Sequence, residues 1–285
     1  MQANIAVDVK DIVKTYGTKV AVDGLTFSFY EGQFVGLLGP NGAGKTTTIN
    51  MLTGLMKPTS GSVLYFSRDF LKNSIEAKSY IGVVPQANNL DRDLTAYENL
   101  YQHGLLYKIP KKTVKTKISK LLDFAGLVEY RDKLVKTFSG GTKRRLVIIR
   151  ALLHEPKILF LDEPTVGLDP QIRRDIWDFI IKINQSHKTT ILMTTHYIEE
   201  AERLCERVMI INNGKLIADG SPDDLKSTVG AYVLEIYTME RIEELFFDDR
   251  QSAVDTLKRC TKPCKVREAT LEDVFLKITG RRIDA

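Results

Sequence analysis

The stretch "GPNGAGKTTT", residues 39–48, combines a glycine-rich loop with the predicted start of a helix. Gly39, Gly44, Lys45 and Thr46 fit the pattern G-x-x-x-x-G-K-[ST], in which glycines let the backbone wrap closely around phosphate groups. Backbone N–H groups and the helix N-terminus attract the anion, Lys45 adds a positive charge, and the Thr46 hydroxyl can ligate Mg²⁺. An ordinary glycine-rich turn is the alternative, but a predicted strand before the loop and a helix after it favour a phosphate site.

The sequence around this loop predicts an α/β fold. "QFVGLLG" (33–39) is a continuous apolar run, typical of a buried parallel strand, and leads directly into the loop. "KILFLDEP" (157–164) and "TTILMTTH" (189–196) are further short strands, separated by the helical pattern "IRRDIWDFIIKINQ" (172–185). Strands that alternate with helices predict a parallel sheet covered on both faces.

The flanking segments differ in pattern. Residues 4–14 and 20–29 alternate as two strands do, and "VMIINNGKLIADG" (208–220) predicts a hairpin because Asn213-Gly214 suits a type I′ turn. From about 90 to 153 apolar residues recur at helical intervals, and we expect the lysine-rich "KIPKKTVKTK" (108–117) to be a solvated turn between helices. We therefore divide the chain into a main domain, residues 1–225, with a helical subdomain at about 90–153, and a small appended α+β domain, residues 226–285.

Composition limits the classes of function. The net charge of +5 is a mild excess that suits phosphate ligands or an anionic membrane surface, and it is too weak to indicate nucleic acid. The three cysteines have no paired spacing, so free thiols in a reducing cytosol are expected. No apolar run approaches the ~20 residues of a membrane helix, and the N-terminus lacks the apolar core of a signal peptide. We expect a chain that spans no membrane and serves one, if at all, from one side.

Two acidic residues complete the candidate phosphate site. Asp162 follows the apolar run of its strand and is placed to hold a metal ion through Thr46 or a water molecule, and Glu163 is placed to polarise an attacking water. Helix capping by this pair is the alternative. Together with the phosphate loop, the pair favours hydrolysis of a nucleotide.

A second glycine-rich loop, "FSGGTKRR" (138–145), carries paired glycines and a serine but no lysine of the phosphate-loop type. Ser139, Gly140 and Gly141 precede a predicted helix, so free backbone N–H groups and the positive end of that helix should face an anion. Ser139 adds a hydroxyl donor. The loop therefore predicts an anion-binding site.

These motifs, in this order over about residues 5–222, resemble the ATP-binding subunits of ABC transporters. "GPNGAGKTT" matches the Walker A element of that family, "ILFLDEP" the Walker B element, "FSGGT" the signature sequence, "VVPQ" the Q-loop and "GLDP" the D-loop. His196 matches the switch histidine and Tyr16 the aromatic residue that stacks on adenine. Taken singly, Tyr16, Gln86 and His196 would more often be a turn tyrosine, a surface glutamine and a capping histidine. Thr142 departs from the glutamine that is usual in the signature sequence, which leaves its own contact open.

The resemblance implies a fold, a reaction and partners. The fold would be a P-loop NTPase core with a parallel sheet, an antiparallel β subdomain, an inserted helical subdomain and a small α+β tail. ATP and Mg²⁺ would be the cofactors. The anion at the second loop would be the γ-phosphate of ATP held by a second subunit. Two copies of the chain would therefore form a head-to-tail homodimer that encloses two ATP molecules. The implied catalytic residues are Glu163, His196 and Lys45, and the implied metal ligands are Thr46, Gln86 and Asp162. The implied ATP-binding residues are Tyr16, Gly39, Pro40, Asn41, Gly42, Ala43, Gly44, Lys45, Thr46, Thr47, Gln86, Ser139, Gly140, Gly141, Thr142, Asp162 and Asp169.

Two further stretches narrow the subclass. "LDRDLTAYENL" (90–100) and "TLEDVFLKITG" (270–280) resemble ATPases of drug-resistance and nodulation-factor exporters and the corresponding parts of lipid exporters. This similarity implies a peripheral protein on the cytoplasmic face of the cell membrane, docked on a separate integral membrane permease, with no nucleic acid as partner. A soluble ABC ATPase acting on ribosomes or DNA is the alternative, disfavoured by one Walker A element and no zinc-spaced cysteines. Import instead of export stays open.

Overall fold

The computed structural model describes residues 4–69, 74–240, 242–280 and 283. Within these ranges the chain forms thirteen β-strands and ten α-helices. The strands are β1 Ile5–Tyr16, β2 Lys19–Tyr30, β3 Phe34–Leu38, β4 Ser60–Tyr65, β5 Arg68–Asp69, β6 Ile81–Val84, β7 Ile158–Asp162, β8 Thr190–Thr195, β9 Arg207–Asn212, β10 Lys215–Gly220, β11 Tyr232–Tyr237, β12 Ile242–Phe247 and β13 Cys264–Glu268. The helices are α1 Lys45–Leu52, α2 Ser74–Ser79, α3 Ala96–Leu106, α4 Lys111–Phe124, α5 Gly140–Leu152, α6 Pro170–His187, α7 Ile198–Leu204, α8 Pro222–Ser227, α9 Arg250–Arg259 and α10 Leu271–Thr279.

The central sheet has six strands in the order β10-β9-β3-β8-β7-β6. Strands β9, β3, β8, β7 and β6 are parallel to their neighbours, and β10 pairs antiparallel with β9 at one edge. The carboxyl ends of β3, β8, β7 and β6 therefore lie side by side, and the loops that follow them share one edge of the sheet. Ligands of open parallel sheets bind at such an edge.

Alternating residues of β3 show why the sheet is buried on both faces. Phe34 and Leu38 belong to the core formed with the helices, whereas Val35 and Leu37 belong to the core formed with α1 and the antiparallel sheet β2-β1-β4-β5. Since successive side chains of a strand point to opposite faces, a strand that is apolar at every position must be covered on both sides. The parallel sheet predicted for "QFVGLLG" is found.

Most of the lysine-rich segment belongs to a helix, contrary to the turn that we expected there. Residues 108–117 were predicted as a turn, but α4 begins at Lys111. Val114, Ile118 and Leu122 are buried at four-residue intervals, and the lysines between them cover the exposed face. The prediction was wrong because the charge density concealed the apolar periodicity, which continues into the rest of α4.

The C-terminal residues add a three-stranded antiparallel sheet in the order β12-β11-β13. Thr270 and Asp273 form a capping box at the start of α10. Val274 and Phe275 of α10 are buried in the core shared with the main sheet, and the backbone N–H of Leu271 donates to Glu202 of α7 over 2.8 Å. The tail is therefore packed against the rest of the chain.

Arg267 of β13 holds this C-terminal sheet to α10. Its guanidinium donates to both carboxylate oxygens of Asp273 (2.6 and 2.8 Å) and to Glu235 of β11 (2.5 Å), with Glu244 of β12 at 3.4 Å. Burial opposes the ionisation of Asp273, but the hydrogen bonds from Arg267 and from the Thr270 backbone outweigh it and keep the pKa of Asp273 below its ordinary value. One cation thus joins three strands and a helix.

In the part of the chain that the structure describes, no helix is long and apolar enough to cross a membrane.

Replacing Arg267 by alanine should lower the free energy of unfolding by about 1–3 kcal/mol, since it leaves three carboxylates close together without their shared cation. Urea unfolding of the wild type and of Arg267→Ala, with the exposed Arg259→Ala as a matched control, measures the difference. The stabilisation by Asp273 is present above its unfolded-state pKa and is lost as the pH falls through its lowered folded-state pKa. The wild type should therefore lose more stability on acidification than Arg267→Ala does, and equal losses would contradict this account of the network.

Candidate active site

The phosphate loop, residues 39–47, makes a tight turn after β3 and continues into the first turn of α1. Gly44 has φ of 106°, a left-handed conformation that residues with a Cβ rarely adopt, and a Cβ on Gly39 would lie 2.3 Å from the carbonyl oxygen of Ile211. The first backbone N–H groups of α1 have no acceptor within the helix, and no side chain caps this end. The loop therefore presents backbone donors at a positive helix end, as an anion requires.

A cavity of about 510 Å³ lies against this loop. It is lined by Tyr16, Lys19, Val20, Ala21, Asn41, Gly42, Gly44, Lys45, Thr46, Thr47, Gln86, Glu163 and Asn213. Its volume is within the range of sites for nucleotide-sized ligands. Four of its lining residues, Lys19, Val20, Ala21 and Asn213, were missed in the sequence, because they come from the start of β2 and the β9–β10 turn and have no motif of their own.

Tyr16 stands at the mouth of this cavity, at the end of β1. Its side chain is about half exposed, and its hydroxyl donates to the Met56 sulfur over 2.8 Å. The Lys14 ammonium lies 5.5 Å from the centre of the ring. A half-exposed ring that lines the cavity and is held at its tip is suited to stacking against a flat aromatic ligand.

Glu163 is the point at which the polar residues of the site meet. The Lys45 ammonium lies 3.1 Å from Glu163 Oε1, and their side chains are only 4% and 9% exposed. Gln86 Nε2 donates to Glu163 Oε2 over 3.3 Å, and His196 Nδ1 lies 3.3 Å from Oε1 without the alignment of a hydrogen bond. Three candidate residues from three different loops thus surround one carboxylate.

The backbone of Glu163 is held in an unusual conformation. Its φ is 42°, which places a residue with a Cβ in the left-handed region, and its N–H donates to Thr194 Oγ1 over 3.0 Å. Non-glycine residues in this region are strained by about 1–3 kcal/mol and concentrate at functional sites. The turn after β7 therefore directs Glu163 toward the cavity against a local preference.

Asp162, at the end of β7, contacts the first turn of α1. The hydroxyls of Thr194 (2.6 Å) and Thr46 (3.3 Å) both donate to its Oδ1. Burial raises the pKa of the Asp162 carboxyl, and these hydrogen bonds partly offset that effect. A buried carboxylate beside a threonine hydroxyl presents the hard oxygen donors that Mg²⁺ prefers.

Arg144 of α5 was missed in the sequence, although it organises the site from behind. Its guanidinium donates to the carbonyl oxygens of Pro85 (2.6 Å), Pro164 (2.5 Å) and Asp162 (3.3 Å), and burial lowers its pKa to about 10. Arg144 therefore fastens the loop that carries Gln86 to the loop that carries Glu163. A signal was available, because Arg144 is in phase with the apolar residues Val147 and Ala151 on the buried face of α5.

Glu200 of α7 holds the loop after β8 in place by hydrogen bonds. It is almost completely buried and accepts hydrogen bonds from Thr195 (2.5 Å), Trp177 Nε1 (2.9 Å) and Thr165. Thr195 Oγ1 in turn accepts the backbone N–H of Tyr197 over 2.9 Å. These contacts fix the backbone on both sides of His196.

The second glycine-rich loop stands apart from the cavity. Ser139 caps α5, its Oγ accepts the backbone N–H of Thr142 over 3.2 Å, and the two hydroxyl oxygens are 2.8 Å apart. A Cβ on Gly141 would lie 2.6 Å from Cγ2 of Ile172, so the loop packs closely on the start of α6. Asp169, the exposed residue before α6, has no side-chain capping bond. Among the described residues, neither residues 139–142 nor Asp169 line the cavity at the phosphate loop.

The comparison with protein families gives one match, to the family described as "ABC transporter", over residues 22–166. Among curated proteins, the chain is 41% identical to the Nod factor export ATP-binding protein I of Ralstonia nicotianae, over 96% of this chain and 94% of that protein. It is 38% identical to the protein of the same name from Rhizobium sp. (strain N33), over 99% of each chain. The similarity extends through the C-terminal residues.

Solved structures agree with this assignment. The chain is similar to cbiO1 from Clostridium perfringens, described as part of the ABC transporter complex cbiONQ, with a TM-score of 0.72, 27% identity, and 78% and 90% of the two chains covered. It is also similar to the ATP-binding cassette MJ0796, described as dimeric, in a post-hydrolysis state and bound to ADP and Pi, with a TM-score of 0.68, 28% identity, and 75% and 98% covered. The fold class predicted from the sequence is confirmed. The chain belongs to the ABC transporter family, as an ATP-binding subunit that hydrolyses ATP.

Proposed function

We propose that two copies of this chain enclose two ATP molecules head to tail and use their hydrolysis to drive a separate integral membrane permease. The observation that carries this proposal is the separation of the two glycine-rich loops. Lys45, Gln86 and His196 surround Glu163 at the cavity, whereas Ser139 and its loop lie outside it. A second copy that brings its Ser139 loop to this cavity would supply the missing donors.

The residues at the cavity fit ATP with Mg²⁺. The phosphate loop offers backbone N–H groups and Lys45 for the phosphates, and Tyr16 offers its ring to the adenine. Thr46 and Asp162, which share a 3.3 Å hydrogen bond, would hold Mg²⁺ together with Gln86. When bound, Mg²⁺ neutralises charge on the phosphates.

Hydrolysis would proceed by attack of a water oxygen on the γ-phosphorus. The bond to the β–γ bridging oxygen breaks, ADP leaves, and Glu163 accepts the proton of the attacking water. Lys45 neutralises charge that develops on the phosphoryl oxygens, and His196 orients the γ-phosphate and the water. The 3.1 Å contact between Lys45 and Glu163 places the cation beside the base before substrate arrives, and an incoming phosphate would compete for that cation.

The dimer would be completed by the exposed segments at the second loop. Ser139, Gly140, Gly141 and the N-terminal N–H groups of α5 would bind the γ-phosphate held by the partner, and Asp169 would lie at the subunit interface. Thr142, which stands in place of the usual glutamine, shares a 2.8 Å contact with the Ser139 hydroxyl and would help to orient it. The dimeric cassette MJ0796, similar in fold and bound to ADP and Pi, supports this arrangement.

We infer export as the direction of transport, because the relatives that match nearly the whole chain are described as Nod factor export proteins. The cargo would be a drug, lipid or other amphipathic molecule selected by the permease. The chain would bind that permease peripherally on the cytoplasmic face of the membrane. Gln86 would couple closure of the dimer to the permease through the helical segment that follows it. Residues 1–225 would form the ATPase unit, and residues 226–285 a small appended unit.

Glu163→Gln should slow ATP turnover by about 10²–10⁴-fold, because it removes the proton acceptor while keeping the size and polarity of the side chain. ATP binding should stay within a few-fold of the wild type, so an ATP-bound dimer should accumulate. Single-turnover kinetics and size-exclusion chromatography with ATP measure the two effects. The exposed Glu199→Gln on α7 is the matched control. Normal turnover in Glu163→Gln would exclude Glu163 as the base.

Lys45→Ala should weaken the binding of ATP, the step before hydrolysis. Losing a charge-assisted contact to the phosphates weakens ATP affinity by about 10–100-fold. Equilibrium binding of a fluorescent ATP analogue measures this loss, and Glu163→Gln serves as the comparison that retains affinity. If Lys45→Ala binds ATP as tightly as the wild type does, the cavity at residues 39–47 is not the nucleotide site.

A further inference from the structure

Tyr197, the residue after His196, contacts both that histidine and an arginine. The ring centre of Tyr197 lies 4.1 Å from the His196 ring centre, at an interplanar angle of 42°. The Arg173 guanidinium lies over the Tyr197 ring, 4.1 Å from its centre. Arg173, Tyr197 and His196 thus form a chain of contacts that ends 3.3 Å from Glu163 Oε1.

The Tyr197 ring is a principal contact of the Arg173 guanidinium. Among the described residues its Nε atom is buried and has no hydrogen-bond partner. A cation packed on an aromatic face in a partly desolvated position is attracted by the ring quadrupole. The side chain of Arg173 is therefore placed to hold the Tyr197 ring rather than to pair with a carboxylate.

The backbone of Arg173 connects this chain of contacts to the segment before α6. Its N–H donates to the carbonyl oxygen of Asp169 over 2.8 Å, as the first turn of the helix requires. Asp169 and Pro170 end the "GLDP" segment (167–170), and α6 begins at Pro170. A shift of that segment would move the start of α6, and with it Arg173.

Near His196, the backbone of Tyr197 is fixed by a hydrogen bond, whereas the position of its ring is set by contacts with neighbouring side chains. Its N–H donates to Thr195 Oγ1 over 2.9 Å, and Thr195 is bound to the buried Glu200. The His196 ring has the Glu163 contact and the Tyr197 contact to set its direction. The orientation of the histidine is thus sensitive to the position of the Tyr197 ring.

We propose that Arg173 is a positioning residue for ATP hydrolysis, which acts through Tyr197 to hold His196 toward Glu163 and the γ-phosphate. By this route the 167–170 segment of the subunit interface controls the reacting geometry in the same chain. The inference rests on the proposed function, in which Glu163 is the base and Asp169 lies at the interface. It predicts an effect on the chemical step and little effect on ATP affinity.

The test compares variants at the two ends of the contact with a matched control on the same helix. Arg173→Gln and Tyr197→Leu should each lower kcat by about 10-fold, because small displacements of a positioned group are costly, with ATP affinity and thermal midpoint near those of the wild type. Arg173→Lys and Tyr197→Phe, which keep the cation and the ring, should retain most of kcat. Lys182→Gln removes a similar contact from α6, in which the ammonium lies 4.4 Å from the centre of the Phe124 ring, and it should leave kcat unchanged.

Double variants distinguish an effect of Arg173 that acts through Tyr197 and His196 from an independent loss of activity. Arg173→Gln combined with Tyr197→Leu should be no slower than either single variant, and Arg173→Gln should cause no further loss in a His196→Ala background. Additive losses, a full rate in Arg173→Gln, or an equal loss in Lys182→Gln would overturn the inference. If His196→Ala and Glu163→Gln themselves turned over ATP at the normal rate, the proposed function would fail instead.

Discussion

The buried ion pair between Lys45 and Glu163 is the constraint on which the site depends. Both side chains are almost inaccessible, and two charges removed from water are stable only when they are paired and hydrogen-bonded. Gln86 supplies a further donor to the carboxylate, and the carbonyl oxygens of Gly39 (2.8 Å) and Pro40 (3.1 Å) accept from the Lys45 ammonium. The loops after β3, β6 and β7 must therefore stay in register for the charges to remain satisfied.

The scaffold behind this pair shows how that register is kept. Neighbouring parallel strands bring the loops to one edge, and Arg144 ties two of them together by their backbone carbonyls. Glu200 fixes a fourth loop, the one after β8 that carries His196, through Thr195. These two buried charges contact backbone carbonyls, hydroxyls and the Trp177 indole N–H rather than the cavity. In the proposed mechanism, the reacting side chains would therefore be free to exchange partners when a phosphate competes for Lys45.

The sequence predicted most of this site because its parts follow from local rules. The phosphate loop, the buried strand 33–39 and the acidic pair at 162–163 are contiguous, so their positions in the sheet follow from the order of strands and helices. Arg144 and Glu200 were missed because their partners lie on other elements, up to 59 residues away for Arg144 and up to 35 for Glu200. Strands β12 and β13 were missed in the tail because their inner faces are mixed, with Glu244 and Arg267 in the network where apolar residues would have given a clear alternation. At 108–117 the density of lysines concealed the apolar periodicity of α4.

The central claim is that a complete catalytic site needs two chains, and mixing two inactive variants tests it most directly. Lys45→Ala disables the phosphate loop and Ser139→Arg blocks the second loop, so each variant alone should be inactive. If the loops meet across the interface, an equimolar mixture should recover about a quarter of the wild-type ATPase rate, because half of the random pairs are mixed and each contains one intact site. If both loops served the same chain's ATP, the mixture would stay as inactive as its components, and the account would be contradicted.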